Sequence, residues 1–179
     1  MPVRHTSALH ANRWSAAGIR YFVTCCTVGR RAGLVANGPC AAIMAAVAAS
    51  DARGDTQTLA ATVMPDHTHW LFQLGGRLTF GRVVARLKTE TRSVLAEGGL
   101  AWQRDFFEHR LRAEERVEDY GRYIFLNPYR ARLRAGAGWP GWLCVRPERF
   151  RSLELLNEDG SPPRAWIEEE VPESLAVGE

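Results

Sequence analysis

Residues 56–74 read TQTLAATVMPDHTHWLFQL. Thr56–Met64 is rich in β-branched residues and stops at Pro65, and His67–Leu74 is a second apolar run that stops at Gly75 and Gly76. Pro65 and Asp66 between them suit a tight turn, because proline presets φ and aspartate bonds nearby backbone. The stretch therefore reads as a β-hairpin. Side chains alternate across a strand, so His67 and His69 project from one face, ~6.6 Å apart along it. Two imidazoles so placed can reach one ion.

The flanking sequence supplies the rest of a sheet. Upstream, Ile19–Thr27 (IRYFVTCCT) is a strand closed by Gly29, and Pro39–Ala52 carries Ile43, Met44 and Val47 at helical spacing before Gly54. Downstream, Thr79–Glu97 has Phe80, Val83, Val84, Leu87 and Val94 near one face and ends at Gly98 and Gly99. Phe106–Leu111 is a shorter strand, and Ala113–Asn127 a third helix, acidic at Glu114 and Glu115 and stopped by Pro128. The order βαββαβ, plus a helix, predicts an α+β, ferredoxin-like split βαβ fold: an antiparallel sheet with two helices on one face. Residues 1–152 are expected to form this domain, with Trp139 and Trp142 pinning the Gly/Pro-broken stretch past Arg134. Residues 153–179 are expected to be an acidic, flexible tail.

A chain of 179 residues, 46% hydrophobic and 24% charged, fits one globular core. The longest apolar run, Ala41–Ala49, is far short of the ~20 residues that span a bilayer. No apolar stretch follows the N-terminal charges, so the expected location is cytoplasmic and nucleoid-associated, with no membrane partner. The four cysteines lack a CxxC spacing and read as reduced thiols. Charge divides unevenly: residues 153–179 hold eight acidic residues against Arg164 alone, a net −7, leaving +10 to residues 1–152. All but one of the basic residues are arginine, whose planar fork suits phosphate and base recognition. A polyanionic partner is expected.

On the third helix Tyr123 and Asn127 are four apart and share a face. If that face covers the histidines, Asn127 can offer an oxygen ligand while Tyr123 approaches a phosphodiester. Two imidazoles, an amide oxygen and waters suit Mg²⁺ or Mn²⁺ better than a closed structural zinc. A phenol with a pKa of ~10 is a weak nucleophile without a Lewis acid beside the phosphoryl group. Spacing alone also allows Tyr123 to be a packing aromatic, and leaves Tyr120 and Tyr129 as rival nucleophiles.

The stretches Tyr21–Arg31, Val63–Phe72, Phe80–Arg92, Trp102–Glu115 and Tyr123–Leu133 (YIFLNPYRARL) together resemble the REP-associated tyrosine transposases, a branch of the HUH single-tyrosine transposases. Thr68 between the histidines and Tyr129 after Asn-Pro depart from the usual apolar residues. The resemblance implies that Tyr123 opens a phosphodiester to give a 5′-phosphotyrosine and a free 3′-OH, while His67, His69 and Asn127 hold the ion. It also implies palindromic, hairpin-forming single-stranded DNA as substrate, acted on by a monomer or a homodimer. Expected DNA contacts are Arg30, Arg31, Arg82, Arg86, Lys88, Arg104, Arg130, Arg132 and Arg134 for phosphates, with Trp102 and Gln103 stacking on or reading a base.

Two other readings compete. A silent relative would keep the fold and the DNA without cleavage. A small-molecule metalloenzyme would use His67, His69 and His109.

Overall fold

A computed structural model describes residues 15–133, 142–144, 150 and 154–169. Its elements run β1 (Arg20–Cys26), α1 (Asn37–Ala52), β2 (Thr56–Val63), β3 (His67–Leu74), α2 (Phe80–Glu97), β4 (Phe107–Arg110), α3 (Val117–Arg130), β5 (Trp142–Cys144) and α4 (Arg164–Glu168). The first four strands lie in the order β4-β1-β3-β2, all antiparallel, which is the ferredoxin-like arrangement expected from the βαββαβ pattern. β5 adds a fifth strand against β2, through Ala60↔Cys144 and Thr62↔Trp142. It is too short, and too close to glycine and proline, to stand out in the sequence.

The pleat sorts the residues into two layers. Tyr21, Val23, Cys25, Trp70 and Phe72 face α1 and α2, where they bury Ala46, Val47, Val83, Val84 and Leu87. Burial pushes the Cys25 thiol up to about 12, so it packs as an inert apolar group. Phe22, Ala60 and Leu71 face the opposite way, against Tyr120, Tyr123 and Ile124 of α3, with Phe150 behind. Thus α3 covers the face that also carries His67 and His69.

Register on that face depends on one irregularity. β2 pairs Thr58 with Phe72 but Ala60 with Leu71, leaving Leu59 as the extra residue of a bulge. A one-residue slip moves every later side chain to the other face, so the bulge is what places Thr62 opposite His69. Asp51 anchors the approach by accepting the Thr58 N–H at 3.0 Å and its hydroxyl at 2.9 Å.

The third helix differs from expectation at both ends. It begins at Val117, not Ala113: residues 112–115 form a separate turn, in which the Glu115 carboxylate accepts the Arg112 N–H at 2.6 Å. It also runs through Pro128 to Arg130. Proline near a helix end removes one N–H donor without disturbing many turns. A Schellman closure then ends it, Arg132 N–H to Tyr129 O at 3.0 Å and Leu133 N–H to Pro128 O at 2.9 Å. Arg132 takes the left-handed position there, at φ 55°.

The tail expectation is corrected where the structure describes it. Leu156, Trp166 and Ile167 pack on Phe125, Leu126 and Tyr129 of α3. Arg122 pairs with Glu169 at 2.6 Å and lies over Trp166, and Arg130 donates to the Trp166 carbonyl at 3.1 Å. Three apolar anchors hold residues that net charge alone marks as solvated. Residues 170–179 and Trp139 lie outside the described residues. Among the described residues no helix is long and apolar enough to cross a membrane.

Candidate active site

The β2–β3 hairpin closes as expected around Pro65 and Asp66, with the Met64 N–H donated to the His67 carbonyl at 2.8 Å. Asp66 then turns its side chain onto the next residue: Oδ1 lies 2.7 Å from His67 Nδ1, and Oδ2 lies 2.7 Å from Arg30 Nε. With Asp66 accepting, the His67 proton sits on Nδ1 and the Nε2 lone pair points toward His69. Two residues on, His69 Nδ1 lies 2.8 Å from the Thr24 hydroxyl across the β1–β3 ladder. The two Nε2 atoms face each other at 3.1 Å.

α3 completes the site. The Tyr123 ring meets His69 edge-on with centroids 5.3 Å apart, and Phe22 packs on both rings. One turn later Asn127 donates Nδ2 to the Tyr123 carbonyl at 3.0 Å and hydrogen-bonds His69 through its side chain. Burial, then the neighbouring His67 and Arg30, hold His69 well below its ordinary pKa against the opposing bond from Asn127. His69 is a neutral imidazole at pH 7, the form that binds a cation.

Two imidazole nitrogens and an amide oxygen on one face are donors chemically able to hold a divalent cation. Among the described residues no three His, Cys, Asp or Glu side chains group as a closed site, so the set is two imidazoles and an amide with open positions. Thr62, the other cross-strand neighbour of His69, has a buried hydroxyl without a hydrogen-bond partner among the described residues. It is suited to a metal-bound water.

With the geometry in place, the comparisons are specific. The solved structure of the REP-associated tyrosine transposase bound to a REP hairpin superposes with a TM-score of 0.65, covering 83% of this chain and 88% of that one at 21% identity. The chain has the fold of a REP-associated tyrosine transposase. A Deinococcus radiodurans R1 protein described as a candidate transposase aligns over 57% of this chain and 85% of its own, at 17% identity and a TM-score of 0.46. No family model and no curated protein matches the chain.

On this transposase fold the rival nucleophiles separate. Tyr120 donates its hydroxyl to Glu115 at 2.8 Å and stacks on His109, which lies 2.8 Å from the same carboxylate. Burial alone would raise the Glu115 pKa, but the Arg112 N–H, His109 and Tyr120 outweigh it and bring it to about 2. That bond occupies His109 away from the His67–His69 pair, which removes the structural basis for a three-histidine site. Tyr129 packs with Phe125 under the C-terminal segment.

Several residues expected to touch DNA also hold contacts within the protein. Lys88 donates to the carbonyls of Gln103, Arg104 and Asp105 at 2.8, 3.3 and 3.0 Å, clipping the loop before β4 to α2. Trp102 is half-buried and donates to Thr91, and Gln103 donates to the Thr27 carbonyl. Arg86 pairs with Asp55 at 2.6 Å, Arg31 donates to the Gly99 carbonyl and Arg30 belongs to the Asp66 pair. In each case a carbonyl, carboxylate or hydroxyl that folding brings close accepts from the donor. Arg82, Arg104 and Arg132 are exposed, and Arg134 lies outside the described residues. Sequence reasoning missed Asp66, Thr24 and Thr62. A carboxylate beside a ligand histidine was a usable signal for the first, whereas the threonines emerge only with the register.

Proposed function

We propose that the chain is a metal-dependent single-strand DNA endonuclease and strand-transferase acting on palindromic hairpin repeats. The observation that carries this is the contact of Tyr123 with His69, with Asn127 on the same helix face. The solved transposase of this fold was captured on a REP hairpin, which supports the same class of partner here. His67, His69 and Asn127 would hold Mg²⁺ or Mn²⁺. When bound, the ion supplies a Lewis acid for the scissile phosphate. The Tyr123 oxygen attacks phosphorus, the bond to the 3′-oxygen breaks and that oxygen leaves as 3′-OH, giving a 5′-phosphotyrosine. Attack by another 3′-OH on that ester frees the tyrosine and completes transfer. His69, buried and neutral, does not compete with the cation by protonation, and Asn127 ties ligand and nucleophile to one turn.

One observation favours the silent DNA-binding alternative: Tyr123 is only 3% exposed, so a phosphate reaches it only after its cover shifts. One experiment separates the two. A hairpin oligonucleotide with Mn²⁺ is expected to give a covalent protein–DNA band that Tyr123→Phe removes and Tyr120→Phe spares. Binding without any such band would leave the silent form.

A further inference from the structure

We infer that Asp66 and Arg30 form a positioning relay that holds His67 in the one tautomer able to bind a cation through Nε2. The inference rests on the metal-dependent reading above and deepens it. Asp66 Oδ1, 2.7 Å from Nδ1, keeps the proton on that nitrogen, and Nε2 is left to face His69 at 3.1 Å. The Thr24 hydroxyl can donate or accept, so His69 is able to change tautomer when an ion arrives. His67 has no such freedom while the Asp66 side chain stays in place.

Arg30 keeps it there. Its Nε is 2.7 Å from Asp66 Oδ2, and its Nη1 donates to the Cys26 sulfur at 2.9 Å. Cys26 is the cross-strand partner of His67, so one guanidinium joins the hairpin turn to the strand beside it. Arg30 does this from φ 54°, next to Gly29 at φ 64°. A non-glycine residue persists in that conformation only when its surroundings hold it, and such residues cluster at functional sites. The Asp66 backbone is fixed as well: its carbonyl accepts the Thr27 N–H at 2.9 Å and hydroxyl at 3.1 Å, and the Thr27 carbonyl accepts Gln103. Arg30 and Gln103, both expected from sequence to touch DNA, thus brace Asp66 from two sides: Arg30 pairs with its carboxylate, and Gln103 holds Thr27, which bonds its backbone carbonyl.

The test uses the full chain without DNA and two readouts: Mn²⁺ affinity by calorimetry, and the His67 tautomer by imidazole ¹⁵N NMR before metal is added. The wild type is expected to bind Mn²⁺ and to carry its His67 proton on Nδ1. Asp66→Ala is expected to weaken Mn²⁺ binding by about 10–100-fold, the usual effect of removing a carboxylate behind a ligand histidine, and to move the proton toward Nε2. Arg30→Gly relieves the left-handed backbone, so it is expected to weaken Mn²⁺ binding without lowering Tm. Asp66→Asn keeps an acceptor in the turn and covers the case in which the alanine variant does not fold; its affinity is expected to fall between the two. Wild-type affinity and an Nδ1 proton in all three variants, with no binding by His67→Ala, would overturn the relay and leave the metal site standing. Equal binding by wild type and His67→Ala would overturn the metal reading and the relay with it.

Discussion

The ring of Tyr123 stands at 66° to that of His69 and is closed in by Phe22, so the phenol that would attack DNA also serves as a core side chain. These two roles come apart on mutation. Tyr123→Phe keeps the ring and is expected to stay within about 1 kcal/mol of wild-type stability while covalent adduct falls by more than about a thousandfold. Tyr123→Ala also empties the core and is expected to cost about 3–5 kcal/mol. Urea melts beside adduct gels check the pair; a large stability loss in the phenylalanine variant would contradict this division of roles.

Gly121 gives α3 its close contact with Phe150. A Cβ at this position would lie 2.0 Å from the Phe150 ring. Alanine gains ~1 kcal/mol of helix propensity over glycine, but the clash is expected to reverse the sign and destabilise the protein by about 1–3 kcal/mol. With Phe150→Ala as background, Gly121→Ala is expected to be neutral or stabilising. A double-mutant cycle reads the difference.

Glu115 predicts an acid limb of stability. Its folded pKa of about 2 lies below the ordinary 4.5, so the unfolded chain takes up a proton first as pH falls. The contribution is complete above pH 4.5 and is lost as pH drops toward 2. Tm measured between pH 6 and pH 3 is expected to fall more steeply for the wild type than for Glu115→Gln; parallel slopes would mean that the carboxylate is not held by His109, Tyr120 and the Arg112 N–H as described.

Lys88 and the exposed arginines differ in what they lose. Lys88→Met removes charge-assisted bonds to three carbonyls and is expected to cost about 1.5–3 kcal/mol, roughly 3–10 °C in Tm, without changing the salt dependence of hairpin binding. Arg82→Ala and Arg104→Ala are expected to leave Tm unchanged and to reduce the salt slope by about 0.7–1 each. Thermal melts and binding isotherms at several salt concentrations distinguish the two kinds of residue.

Much of this arrangement was legible because it is local. The alternation around Pro65 and Asp66 defines a hairpin, a two-residue spacing puts His67 and His69 on one face, and a four-residue spacing does the same for Tyr123 and Asn127. What escaped depends on contacts distant in sequence. Thr62 joins the site only because Leu59 bulges, and Lys88 meets three carbonyls only because the loop after Trp102 folds onto α2. The helix start moved to Val117 because residues 112–115 close a separate turn of their own, with the Glu115 carboxylate on the Arg112 N–H. The C-terminal residues read as solvated because net charge conceals Leu156, Trp166 and Ile167.

Lys88 is also the single lysine of the chain, and its ammonium is spent on backbone carbonyls. Acetylation therefore has no exposed lysine side chain on which to tune the basic surface, whose charge resides in arginines that keep it at every physiological pH. Amine-directed labels and a lysine-specific protease meet one internal target, a partly buried amine tied to the loop before β4, and its reactivity reports how firmly that loop is held.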